Sequence, residues 1–551
     1  MKYAKIDREA GVVGVPSMRT SGLLKGTAIA VLGVIMCTGS AVAAEVTLRM
    51  KGGDFSVSGE LKAFDGAKYT IISKSFGSMS LDAARFDCEG SSCPRPGGTI
   101  TTALTAPTAG APSGTVSLVG SNTIGGQLMP ALIQAYAQAN GLKTTRVAGA
   151  TPEELGLKLI DSKGVEVGTV DLKRHGSGTA FKAFEKKAVD IGMSSRPIKP
   201  EEVQKLAALG LGDMKAPSNE HVLGLDGLAV YVAQESPAVS LSIDQIARIF
   251  AGQVVDWSEV GLPAGRIQVY SPSANNGTMD TFDELVLKPR GLKLTETAKR
   301  FESHAEQSDS VAADKLGIGF ASIAYQRNSK ALNIETSCGL ITRPSTFLMK
   351  TEEYPLARRL FLYTAGQPTN PLARGLLSFA LSPAAQPVVR QNDFIDQSPE
   401  TLDFQSQTTR IAYALNAAGA DFDLNLMKTL ISDFKPAQRL TSTFRFETAS
   451  FALDNKALAD VTRLRSLLEK PEYKGRTVMI AGFADGIGRF DTNLVLSQRR
   501  AATVLAAIQR AGQNPIQAQL VTKGYSQLAP VACNDTAEAR SYNRRVEVWV
   551  K

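Results

Sequence analysis

Three short turns in the middle of the chain combine glycine with small polar side chains: Gly120-Ser121-Asn122-Thr123, Gly176-Ser177-Gly178-Thr179 and Asn276-Gly277-Thr278. Each stands between a strand-like run and the start of a helical pattern. The first N–H groups of a helix lack internal partners and carry partial positive charge; glycine lets a ligand approach the backbone, and Ser or Thr hydroxyls add donors. The chemistry on offer is the cradling of an oxyanion. Ser and Thr are also ordinary helix N-caps, so one such turn carries little weight and three carry more. Catalysis is harder to assemble. A nucleophile at Ser121 or Ser177 needs a general base and usually a metal, whereas only His175, His221 and His304 exist and none has metal-ligand spacing. No cofactor or metal is expected. Further on, Asn493 and Arg500 lie seven apart, close to two helical turns, and so face one side of one helix.

The elements that must position these residues belong to a long, exported chain. At 551 residues and 43% hydrophobic content, two to four folded domains are expected. A basic leader ends at Lys25, and residues 26–36 form an apolar stretch of secretory length, too short to span a membrane comfortably. Small residues at Ala41-Val42-Ala43-Ala44 place cleavage after Ala43 or Ala44, which makes residues 1–44 a signal peptide. Cys37 follows Met36, where a lipobox needs a small residue, so lipidation is not favoured. The formal charge of +8 includes a leader surplus of three, which leaves about +5 on the mature chain. Without basic runs or aromatic platforms, that surplus argues against nucleic acid as a partner.

Export permits disulfides. Cys88 and Cys93, five apart in CEGSSC and without nearby histidines, are expected to close a local loop, while the fate of Cys338 and Cys533 stays open. Residues 45–93 alternate polar and apolar positions between glycine turns and read as a small β domain. Residues 94–115, rich in Pro, Gly, Thr and Ala, read as a flexible linker. Residues 116–395 alternate strand and helix patterns, which predicts an α/β module. A linking segment at 396–439, with helical period between Ile411 and Ile431, leads into residues 440–551. There a strand from Thr441, a helical period at Leu458, Val461, Leu464 and Leu468, and a final alternating strand from Arg545 predict a small α/β sandwich.

HGSGTAFKAFEKKAVDIGMSSRPI at 175–198 resembles phosphate-binding proteins of ABC transporters, and DGLAVYV at 226–232, LSIDQIARIFAGQVVDWSEVG at 241–261, Tyr354-Pro355-Leu356 through Tyr363 and SPAAQPVV at 382–389 keep that family's order. The resemblance implies two α/β lobes closing on a ligand, with 226–232 as the hinge-crossing strand. Carried over by position, Ser121 and Thr123 would donate from the first helix and Ser177, Gly178 and Thr179 from the second, with Ser194, Ser195 and Arg196 at strand-end ligand positions. Arg196 can offer an oxyanion two parallel hydrogen bonds, with a surface ion pair as its ordinary alternative. In the second lobe Asn276, Gly277 and Thr278 replace the family's Ser-Gly-Thr, and no arginine stands a few residues upstream. Phosphate keeps a proton near neutral pH, which Asp190 or Asp226 would accept unless each is simply a turn or cap residue.

GFADGIGRFDTNLVLSQRRAATVLAAIQRAG at 482–512 and NRRVEVWV at 543–550 resemble the peptidoglycan-binding domain of OmpA-like proteins. The resemblance places on Asp485 and Arg500 the roles of holding the ammonium and carboxylate of diaminopimelate in the stem peptide, with Asn493 on the same groove; opposite charges suit a zwitterion. Solvated surface charge is the ordinary reading of Arg499, Arg500, Arg544 and Arg545, accepted for Arg499, and Phe483-Ala484, where the family has a polar pair, reads as a less polar groove edge. The resulting expectation is a multidomain α/β protein: a small N-terminal β domain, a two-lobed binding-protein-like module and a C-terminal OmpA-like βαβαβ sandwich. It would be a non-catalytic periplasmic binder of phosphate or a related oxyanion, held at the cell wall near the outer membrane and served by an ABC transporter permease. The alternatives are a structural envelope protein with a ligand-free module and a phosphoester-processing enzyme.

Overall fold

A computed structural model describes residues 45–51, 56–64, 68–73, 77–90, 93, 100–101, 114–274, 277–416 and 422–551; the expected signal peptide and Asn276 lie outside the described residues, as does most of the expected linker. The chain divides into two compact units, Met1–Leu104 and Thr105–Lys551.

The first unit is a six-stranded sheet ordered Gly77–Asp82, Lys68–Ser73, Ser56–Phe64, Glu45–Met50 and Phe86–Glu89, with Ile100–Thr101 added beside Ser56–Phe64. Its alternation puts Val46, Leu48, Val57, Leu61 and Ile71 on one buried face. Cys88 and Cys93 are joined by a disulfide.

In the second unit an eleven-stranded sheet runs through two lobes. The strand Glu220–Val232 belongs to both: residues 220–227 pair antiparallel with Ala357–Tyr363, and residues 228–232 pair with Gly317–Ser322. Its buried run from Val222 onward is the pattern of a strand covered on both faces. One lobe closes around Val116, Leu118, Leu132, Leu157 and Leu172, the other around Val230, Ile246, Phe250, Phe282 and Phe320. The two-lobed α/β arrangement expected from the motifs is therefore present, and the hinge strand carries DGLAVYV.

The C-terminal sheet is ordered Thr401–Asp403, Gln438–Arg445, Arg545–Val550, Thr477–Gly482 and Gln519–Gly524. Helices Asn455–Leu468 and Phe490–Arg510 cover one face, burying Val461, Leu464, Val504 and Ile508 against Val478, Ile480, Val546 and Val548. The segment ahead of it, expected to hold one helical stretch, contains two helices, Thr408–Asn416 and Leu424–Phe434. Their apolar stripes, Ile411 with Ala414 and Met427 with Leu430 and Phe434, cover the opposite face at Met479, Ala481, Phe483, Tyr525 and Trp549.

That extra layer corrects two expectations. Arg545 is fully buried, not solvated, and lies with Glu547 and Trp549 beneath the added helices; Arg544 is also buried. Phe483 does not edge a groove: it is fully buried and packs against Phe434 and Tyr525. Cys338 and Cys533 form a second disulfide, which ties the binding module to the C-terminal sandwich. Among the described residues no helix is long and apolar enough to cross a membrane.

Candidate functional site

A cleft of about 520 Å³ opens between the lobes. From the expected turns it takes Thr123, Gly277 and Thr278, and it adds Asp226 from the hinge strand. Thr123 stands at the start of a helical run from Ile124 to Ala139, and its hydroxyl donates to the Gly277 carbonyl at 3.3 Å. The two lobes approach so closely here that a Cβ on Gly277 would fall 2.7 Å from Thr123 Cα, which explains a glycine at this position. Thr278 pairs with His304 Nε2 at 3.3 Å, and burial lowers the pKa of that histidine, favouring the neutral ring.

Arg174 lines the cleft itself, and a second, buried cation, Arg358 on the strand Ala357–Tyr363, stands behind Thr123 and Asp226. Its Nη2 donates to Thr123 Oγ1 at 2.9 Å and also to Thr281 Oγ1. Its Nη1 donates to Glu284 at 2.6 Å, and its Nε stands 3.5 Å from Asp226. This arginine comes from a strand far in sequence from Gly277 and Thr278. Spacing gives no signal for it.

The other expected anion ligands gather in a separate cluster and do not line the cleft. Ser121 is buried, and its Oγ accepts from Ile124 N at 3.4 Å as an internal cap. Ser177 Oγ accepts from Ser195 N at 3.1 Å, Ser194 donates to the Arg196 carbonyl at 2.7 Å, and Thr179 donates to the Gly176 carbonyl at 2.7 Å. Arg196, beside Gly178, forks onto Glu202 at 2.9 and 2.7 Å and lies over the Phe181 ring. Asp190 accepts from Ser117 N at 2.8 Å, a structural role at the sheet end.

In the C-terminal sandwich, the loop after strand Thr477–Gly482 carries Asp485 and the helix Phe490–Arg510 carries Asn493 and Arg500. Arg500 is wholly buried, yet its Nε and Nη1 have no hydrogen-bond partner among the described residues, and its Nη2 reaches only the Glu447 carbonyl at 3.4 Å. Burial, and then the nearby Arg544, pull its pKa down to about 10, with Asp485 opposing them. Asp485 pairs with Arg544 at 2.9 Å. Asn493 spends its amide on the Asp485 and Ile487 carbonyls, both at 3.1 Å, and on Gln527 at 2.8 Å, so it shapes the loop from beneath. Arg544 is the partner of Asp485 that the sequence did not single out. Its buried ion pair becomes visible only once NRRVEVWV is laid beside the Asp485 loop.

Residues 113–384 match the PBP superfamily domain, and residues 445–544 match the OmpA family. The phosphate-binding protein PstS of Staphylococcus haemolyticus is 31% identical over 225 residues, covering 39% of this chain and 67% of that protein. The chain belongs to the phosphate-binding protein family and carries an OmpA family domain behind that module. The protein SphX of Synechococcus elongatus is 30% identical over 223 residues, covering 38% of this chain and 64% of that protein. The chain thus spans about two thirds of the length of these relatives. For the OmpA family domain, the solved peptidoglycan-associated lipoprotein of Burkholderia pseudomallei is 23% identical, covering 20% of this chain and 89% of that one with a TM-score of 0.18. Among the described residues, no group of three His, Cys, Asp or Glu side chains is placed to hold a metal ion.

Proposed function

We propose that this protein is a non-catalytic, periplasmic binder of phosphate or a related oxyanion, held to peptidoglycan by its OmpA family domain. The observation that carries the reading is the buried Arg500 guanidinium with two unpaired nitrogens beside the Asp485–Arg544 pair. A buried cation with two unsatisfied nitrogens is costly and is relieved by an incoming carboxylate. Diaminopimelate brings a carboxylate for Arg500 and an ammonium for Asp485. In the cleft, Thr123 and Thr278 supply donors for an oxyanion, with Arg358 behind Thr123, and both disulfides suit an oxidising compartment reached by export. Transfer of the ligand to an ABC transporter permease completes the proposal.

One experiment tests both halves. Purified sacculi carrying the protein are expected to retain labelled phosphate, and Asp485→Ala or Arg500→Ala to leave protein and label together in the supernatant. Undiminished retention of the variants overturns the anchor; retained protein without retained phosphate overturns the oxyanion reading. A second reading, a ligand-free module in a structural envelope protein, is favoured by the internal pairing of Arg358 with Glu284 and Asp226.

A further inference from the structure

The oxyanion reading leaves one feature beside the cleft unexplained: the buried cation that backs its lining residues Thr123 and Asp226 is already engaged. The Arg358 side chain is 7% exposed, and its Nη1 is held by Glu284 at 2.6 Å. Its Nη2 serves Thr123 from one lobe and Thr281 from the other. A carboxylate on Arg358 thus joins elements that a bound anion would also draw together. Thr123, Asp226, Thr281 and Glu284 converge on one guanidinium.

The two carboxylates around Arg358 are not equivalent. Asp226 is 4% exposed and receives the Thr281 hydroxyl at 2.7 Å, so it is fixed within the hinge strand. Glu284 is 35% exposed on a helical turn, Asp283–Leu287, at the edge of the second lobe. Turning Glu284 into water returns its own charge to solvent and leaves Arg358 with Asp226 as counter-charge, whereas moving Asp226 would break its Thr281 hydrogen bond and separate two buried charges. Of the two, only Glu284 can leave cheaply.

We propose that Glu284 is a displaceable internal occupant of the anion site, its carboxylate holding the Arg358 guanidinium that an incoming oxyanion must take over. This rests on the oxyanion reading and deepens it. Binding is then an exchange of one anion for another on a single cation. A tethered carboxylate competes at high effective concentration, so it lowers the affinity for every external anion. Tetrahedral dianions are favoured over monoanions, because they meet the guanidinium with more charge and additional acceptors for Thr123 and Thr278.

The test titrates the full-length protein with inorganic phosphate by calorimetry. Glu284→Gln keeps the side chain's shape and removes its charge, and is expected to bind phosphate about tenfold tighter, the loss of roughly one charged hydrogen bond from the competing state. Glu284→Ala must tighten binding in the same direction. In a crystal grown with phosphate, the wild-type Glu284 side chain is expected to have left Arg358. Unchanged or weaker affinity in both variants, with the wild type binding, overturns the inference alone, as does a phosphate complex in which the Arg358–Glu284 pair persists. If neither the wild type nor the variants give saturable heat with phosphate, sulfate or arsenate, the oxyanion reading fails and takes this inference with it.

Discussion

Arg500 concentrates the tension between stability and binding in a single side chain. Its guanidinium is buried with two nitrogens unpaired, and its pKa is drawn down to about 10 because the folded protein disfavours the charge. A base whose folded pKa lies below its unfolded value destabilises the fold wherever it is charged in both states, and that penalty fades as pH rises through the folded value. Arg500→Met is therefore expected to raise the stability of the free protein by about 1–2 kcal/mol, the cost of an unsatisfied buried charge. Thermal denaturation at pH 7 checks this, and a lowered midpoint would count against an unpaired cation at this position. The motif made Arg500 and Asp485 legible because both sit in one contiguous stretch. Arg358 was not legible, since it meets Thr123 and Thr281 only through the pairing of strands far apart in sequence.

Among the elements, the final strand Arg545–Val550 shows where sequence pattern stops. Its alternation correctly sends Val546, Val548 and Val550 to a core, and by the same logic sends Arg545 and Glu547 to water. The helices Thr408–Asn416 and Leu424–Phe434 cover that second face, so the charges are buried and must pair. Glu547 receives Arg410 at 2.6 and 3.0 Å, Arg545 at 2.7 Å and the Trp549 ring N–H at 2.9 Å. Burial alone would raise its pKa; Arg410, Arg439 and Arg545 outweigh that and hold the carboxyl well below the usual range. The two helices read as linker because their apolar stripes are short, and a short stripe does not announce which sheet it covers. Glu547→Gln leaves three buried guanidinium groups short of a counter-charge and is expected to cost about 3–5 kcal/mol in denaturant unfolding. A loss under about 1 kcal/mol, the scale of an exposed pair, would mean that the added layer is not a packed part of the domain.

On the scale of the whole molecule, the anchor domain holds the binding module on both sides of its hinge. Beside the first lobe, Asn455 donates to the Lys215 carbonyl at 2.8 Å and to Glu220, at the start of the hinge strand, at 2.9 Å. Against the second lobe, Arg439 pairs with Glu353 at 3.1 Å, Arg445 donates to the Thr351 carbonyl at 2.6 Å, and Cys338 is bonded to Cys533. A rotation of one lobe against the other must stretch one of these two sets. The polar contacts can exchange with water, whereas the disulfide cannot, so the bridge fixes the C-terminal domain on the second lobe and keeps its polar contacts with the first lobe at high effective concentration. It also closes a loop of 195 residues, for which chain entropy alone gives about 5 kcal/mol of stabilisation against global unfolding. Replacing both cysteines in Cys338→Ser/Cys533→Ser is expected to speed amide hydrogen exchange along Glu220–Val232, where the two lobes share their strand, while leaving the cores of the separate lobes protected. If exchange in that strand is unchanged, the clamp is carried by the polar contacts alone. If protection falls equally everywhere, the bridge stabilises the fold without governing the hinge. The outcome that separates these cases is local loss, because only a constraint acting across the hinge releases the hinge first.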